Sequence, residues 1–108
     1  MTFNDYQNNA VQTAIYGTGQ SIIYPALGLA NEAGEVLGKI KKVLRDKDGI
    51  FDDETNKEIG KEIGDVLWYI AALSRDLNLS MDKIAEENIL KLLDRQKRGV
   101  IQGSGDER

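Results

Sequence analysis

Apolar residues recur at three- and four-residue spacing in four successive stretches of the chain, separated by polar or glycine-rich breaks. That period matches the α-helix and not the alternation of a strand. Phe3, Tyr6, Ala10, Val11 and Ala14 mark a first helix, opened by a Thr2–Asp5 capping arrangement and ended at Gly17-Thr18-Gly19. A second is predicted from Pro25, a residue suited to a first turn, to about Leu44, with Ala26, Leu29, Ala33, Val36, Ile40 and Val43 on its apolar face. Arg45-Asp46-Lys47-Asp48-Gly49 reads as a connector. A third helix runs from Asp53 or Glu54 to near Asn78, with Ile59, Ile63, Val66, Ile70, Leu73 and Leu77 as its stripe. Ser80 is an N-cap for a fourth carrying Met81, Ile84, Ala85, Ile89 and Leu92. After Arg98 the chain is too glycine-rich for a helix. The fold expected is all-α: a four-helix bundle over residues 1–98, completed by dimerisation, followed by a Gly-rich C-terminal tail over 99–108.

Composition narrows the chemistry. The chain of 108 residues contains no cysteine and no histidine, which removes disulfides, thiolate zinc sites and imidazole catalysis. A metal would have to sit on oxygen ligands, favouring magnesium, manganese or calcium. A formal net charge of −4 argues against a nucleic-acid partner. No apolar run is long enough to span a bilayer and the start carries no secretory pattern, so no membrane partner and a cytoplasmic location are expected.

The informative feature is an internal repeat. Residues 31–40 read NEAGEVLGKI and residues 61–70 read KEIGDVLWYI, sharing the frame E-x-G-[E/D]-V-L-x-x-I. Glu32 and Glu35 stand about 60° apart on a helical wheel, as do Glu62 and Asp65. Each pair borders an apolar stripe, so packing the stripes together converges four carboxylates at the edge of the core. Such a cluster is tolerable when divalent cations neutralise it. Gly34 and Gly64, kept in mid-helix in both copies, suggest a close helix approach there. An acidic pair on one helix more often marks a solvated face; two pairs in matched frames favour metal binding.

With these residues the chain resembles the MazG-like branch of the all-α nucleoside triphosphate pyrophosphohydrolases. That family carries E-x-x-E, a variable spacer, then E-x-x-D, here Glu32-Ala-Gly-Glu35 and Glu62-Ile-Gly-Asp65, and an Asn-x-x-Lys-x-x-x-Arg pattern, here Asn88, Lys91 and Arg95. The resemblance covers roughly residues 22–98 and implies magnesium-dependent hydrolysis of (deoxy)nucleoside triphosphates to the monophosphate and pyrophosphate. It implies that Glu32, Glu35, Glu62 and Asp65 are catalytic and hold two or three Mg2+ ions, with Mn2+ able to substitute. Asn88, Lys91 and Arg95 would hold phosphate oxygens, and a homodimer or homotetramer is expected. Lys39, Glu58 and Trp68 are accessory candidates: Lys39 for phosphate or an intrahelical ion pair, Glu58 as an outer acid or surface residue, Trp68, like Tyr69, as a base-stacking or packing group. The segment Gln12 to Tyr16 is a candidate base-pocket lining. The tail, expected to be disordered, also resembles the endings of short bacteriophage members. That places a phage-encoded copy in the host cytoplasm, suggests a tail folding over the nucleotide with Gln102 or Asp106 at a base edge, and points to a dGTP or GTP preference. Alternatives are a pyrophosphohydrolase of another metabolite, such as phosphoribosyl-ATP, and a non-enzymatic helical interaction module.

Overall fold

The computed structural model describes residues 1–108 and contains helices and turns but no strand. The four helices are α1 (Phe3–Ala10), α2 (Ile23–Asp46), α3 (Asp53–Asp76) and α4 (Met81–Lys97). The Thr2–Asp5 capping box forms at the start of α1, and the Ser80 side chain accepts from the Lys83 backbone N–H at the start of α4. Asp52 caps α3 by accepting from the Thr55 backbone N–H. The first helix is shorter than its periodicity predicts: after Ala10 the chain tightens into a 3₁₀ turn over Val11–Thr13, and Ala14 is extended. The second starts two residues before Pro25, which tolerates an early position because first-turn N–H groups have no intrahelical acceptor.

α2 and α3 form an antiparallel hairpin, reversed through Asp48 and Gly49 with left-handed φ of 52° and 73°. The two helices approach closely at Gly28, where the Tyr69 ring occupies the space a Cβ would need. Gly34 and Gly64 are different: nothing lies within 4 Å of a Cβ built on either. The close approach expected at the two repeat glycines is therefore absent within the chain, because the hairpin register puts the contact at Gly28 instead.

α1 locks the α3–α4 turn through polar groups. Buried Gln7 donates from Nε2 to the Leu79 carbonyl at 3.0 Å, and its Oε1 accepts from the Met81 N–H at 3.1 Å. Asn4 Oδ1 accepts from Ser80 Oγ at 2.8 Å and from the Asp82 N–H at 3.0 Å. Beneath these bonds lies a small core of Ala10, Ala71 and Met81, flanked by Tyr6, Leu67, Trp68 and Ile70.

The chain as a whole is open. Its radius of gyration is 16.8 Å, against roughly 13 Å for a compact domain of about this length. Ala26 and Ala33, expected on the inner stripe of α2, are exposed, as are Ile63 on α3 and Ile84, Ile89 and Leu92 on α4.

Candidate metal and phosphate site

The antiparallel hairpin brings the two copies of the repeat together head to tail. Glu32 from α2 meets Glu62 and Asp65 from α3, with one carboxylate oxygen of each lying within 4.8 Å of the others. Glu35 is not part of this group and is exposed, so three of the four repeat acids converge and the fourth stands beside them. It remains close enough to be felt. Burial pushes the Glu32 carboxyl above its ordinary pKa, and the charges of Asp65, Glu62 and Glu35 push it further. Oxygen-only donors around one point suit a hard divalent cation, and mutual repulsion among the three acids favours binding one.

Cations and aromatic rings surround the acids. Lys39 reaches across the hairpin to Glu62, Nζ to Oε1 4.0 Å, instead of pairing along its own helix with Glu35. Glu58 is exposed and pairs with Lys61 at 3.0 Å, so it sits with the surface ion pairs and not in the acid cluster. Glu32 and Asp65 form one wall of an open cleft of about 410 Å³, completed by Thr13, Trp68 and Tyr69. Trp68 is held in place by its neighbours. Its indole N–H donates to Thr13 Oγ1 at 2.8 Å and to the Ala10 carbonyl at 3.2 Å, while its ring meets Tyr69 edge-on at 4.9 Å and lines the cleft.

Of the segment Gln12 to Tyr16, only Thr13 lines this cleft. Ile15 is solvent-exposed, and Tyr16 stacks on Tyr24 with centroids 5.0 Å apart. Its hydroxyl donates to Asp76 Oδ2 at 2.9 Å. Asp76 also accepts from the N–H of Ile22, a residue held at φ 68°, and from Arg75 Nε at 3.1 Å. Burial works to raise the Asp76 pKa, but these three bonds outweigh it and hold the carboxyl below its ordinary value. This latch positions the loop that brings Tyr24 to Tyr69, whose own hydroxyl is pushed up by burial, by Tyr24 and by the charges of Glu32 and Asp65. Tyr6, raised by burial and by Asp65, is a further neighbour of the acids. Nothing in the acid spacing points to Asp76, two of whose partners lie 54 and 60 residues away.

The three residues of the Asn-x-x-Lys-x-x-x-Arg pattern share one face of α4 but not one environment. Asn88 borders an apolar groove lined by Phe3, Leu67, Ile70, Met81, Ile84 and Ala85. Lys91 and Arg95 lie further along and converge on Asp106 of the tail. Their bonds hold the Asp106 carboxyl below its ordinary pKa, Lys91 contributing first. Asp106 is thus engaged with the two cations through Oδ1, and the tail, expected to be disordered, is folded back on α4.

Residues 20–100 match the MazG nucleotide pyrophosphohydrolase domain. The chain belongs to this family. It is also 45% identical over 109 residues to the Gene 37 protein of Mycobacterium phage L5, across 95% of this chain and 96% of that protein. No solved structure matches. Membership supports nucleotide pyrophosphohydrolase activity as a class. The MazG match spans both acidic repeats and the Asn88–Arg95 pattern; α1 and residues 101–108, which supply the Gln7 lock and Asp106, lie outside it. No helix is long and apolar enough to cross a membrane.

Proposed function

We propose that this MazG-family chain hydrolyses nucleoside triphosphates to the monophosphate and pyrophosphate, with Glu32, Glu35, Glu62 and Asp65 holding magnesium. The observation that carries the reading is the convergence of Glu32, Glu62 and Asp65 from two different helices within 4.8 Å. Bound divalent cations would neutralise the triphosphate and raise the acidity of water near it, with Mn2+ able to replace Mg2+. The protein's own groups complete the chemistry. Glu35, exposed beside the cluster, is placed to take up a cation once the first three acids are engaged, or to accept the proton of the attacking water. Lys39, loosely paired with Glu62, can turn to a phosphate oxygen. Lys91 and Arg95, with Asn88, supply donors for the pyrophosphate that leaves.

The cleft beside Glu32 and Asp65 receives the nucleoside end, with the fixed indole of Trp68 and the Tyr69 ring as its stacking surfaces. Its aromatic wall suits a purine, and GTP and dGTP head the substrate series on that ground. The functional unit is residues 1–98 with a 99–108 tail, working in the cytoplasm, or in the host's for a phage-borne copy, as a homodimer or homotetramer. Support for assembly comes from the chain's openness and from exposed Leu27, Leu37, Leu44, Ile63, Leu90 and Leu93, which a second copy would cover.

The test is product analysis on ribo- and deoxyribonucleoside triphosphates and phosphoribosyl-ATP, with magnesium and with chelator. Equal amounts of monophosphate and pyrophosphate, dependent on magnesium, are expected. Release of diphosphate and inorganic phosphate would overturn the reading, and turnover of phosphoribosyl-ATP alone would replace its substrate.

A further inference from the structure

The last ten residues contain four constraints that a disordered tail lacks. Arg95 Nη2 donates to the Asp106 carbonyl at 2.6 Å and to its Oδ1 at 3.1 Å. Lys91 Nζ donates to the same Oδ1 at 3.0 Å. Arg98 Nη2 donates to the Arg108 carbonyl at 2.7 Å. The Arg108 guanidinium folds back on the carbonyls of Val100, Gly105 and Ile101. Gly99, Gly103 and Gly105 take φ of 72°, 145° and 87°, a backbone that lets the strap turn without strain.

Arg95 itself is only 5% exposed, and its Nε is buried with no hydrogen-bond partner. In a guanidinium, Nε and Nη2 form one edge that grips two oxygens of an anion, as Arg45 grips both oxygens of Asp46 at 2.8 and 2.9 Å. On Arg95 the tail uses only the Nη2 half of that edge. A phosphate group, with more oxygens and more charge than one carboxylate, can take Nε, Nη2 and the Lys91 ammonium together. The buried orphan donor is therefore a reason for phosphate to outcompete Asp106.

We propose that the C-terminal tail is a tethered occupant of the Lys91–Arg95 anion site, displaced when a phosphate group binds there. The inference rests on reading Lys91 and Arg95 as phosphate-binding residues. Asp106 keeps the pair ordered and its charge compensated in the free protein, and substrate or pyrophosphate must open the strap to reach it. Binding is weakened by the fraction of time the strap is closed, and tethering keeps the effective concentration of the carboxylate high.

The experiment titrates inorganic pyrophosphate, the probe, into the full-length protein and its Asp106→Asn and Lys91→Ala variants. Calorimetry reads affinity; NMR follows the Arg95 Nε–H signal and the Gly103 and Gly105 amides. Asp106→Asn is expected to bind pyrophosphate about three- to tenfold more tightly, the gain from removing a mostly closed competitor. In the unmodified protein the Arg95 Nε–H signal should shift downfield on binding, while the two glycine amides sharpen as the strap is released. Lys91→Ala should weaken binding. Equal or weaker binding by Asp106→Asn, with Lys91→Ala still weakened, overturns the strap and leaves the phosphate site standing. No binding by any of the three proteins overturns the phosphate reading and the strap with it.

Discussion

The α2–α3 hairpin and helix α4 carry comparable amphipathic patterns, yet the chain treats them differently. In the hairpin, each helix finds its partner in the same chain: Tyr69 fills the hollow at Gly28, and Glu32 meets Asp65 and Glu62. On α4 only Met81 and Arg95 are buried, at opposite ends, and Ile89, Leu90 and Leu93 between them are more than half exposed. A repeat that pairs with itself assembles an acid site locally. On α4, whose middle is largely uncovered, the cations Lys91 and Arg95 are met by Asp106 of the tail.

The largest effect expected from breaking the hairpin side is on catalysis. Glu62→Gln should lower triphosphate hydrolysis by about 10²–10³-fold, the cost of deleting a group that supports transition-state charge, with helicity by circular dichroism unchanged. Gly28→Ala probes the packing of the hairpin. A methyl where the Tyr69 ring lies forces a shift of helix or ring, and should destabilise by about 1–3 kcal/mol in chemical denaturation. Asp76→Ala removes the acceptor of three bonds, at a cost of roughly 2 kcal/mol. Because its folded pKa is depressed, that contribution is present above the unfolded value, about 3.9, and is lost as pH falls through the folded one. The difference between Asp76→Ala and the unmodified protein should therefore shrink on acidification.

Smaller changes probe the open faces. Gly34 meets nothing within 4 Å, so Gly34→Ala should stabilise a monomer by up to about 1 kcal/mol through helix propensity. If a second copy packs on this face the gain disappears, and denaturation at several protein concentrations separates the two outcomes. The smallest effect belongs to Glu32→Gln without metal. The Glu32 carboxyl is raised by burial and by Asp65, Glu62 and Glu35, so ionising it opposes folding. That cost is missing below its unfolded value and appears as pH rises through the folded one. Thermal melts in chelator should show a slight gain for Glu32→Gln at neutral pH and none in acid.

Local patterns were legible in the sequence, and register was not. The Thr2–Asp5 box, the Ser80 cap and the extents of α2 and α3 follow from neighbours within a turn, and the repeat identified acids that do converge. Which glycine takes the close crossing depends on how two helices slide past each other, and Gly28, Gly34 and Gly64 look alike in a string of letters. The same long-range register sends Lys39 to Glu62 and leaves Glu35 outside the triad. Asp106 in a glycine-rich ending carries no local signal that it will return to Lys91, fifteen residues back.

Whether acids from both repeats act as one cation site can be read from Mn2+ binding followed by electron paramagnetic resonance. Glu32→Gln, Glu62→Gln and Asp65→Asn should each weaken binding by at least about tenfold, in line with the loss from disturbing a metal site, while Glu58→Gln leaves it unchanged. Full Mn2+ affinity in both Glu62→Gln and Asp65→Asn would contradict a site shared by two helices, since α3 would then contribute nothing to it.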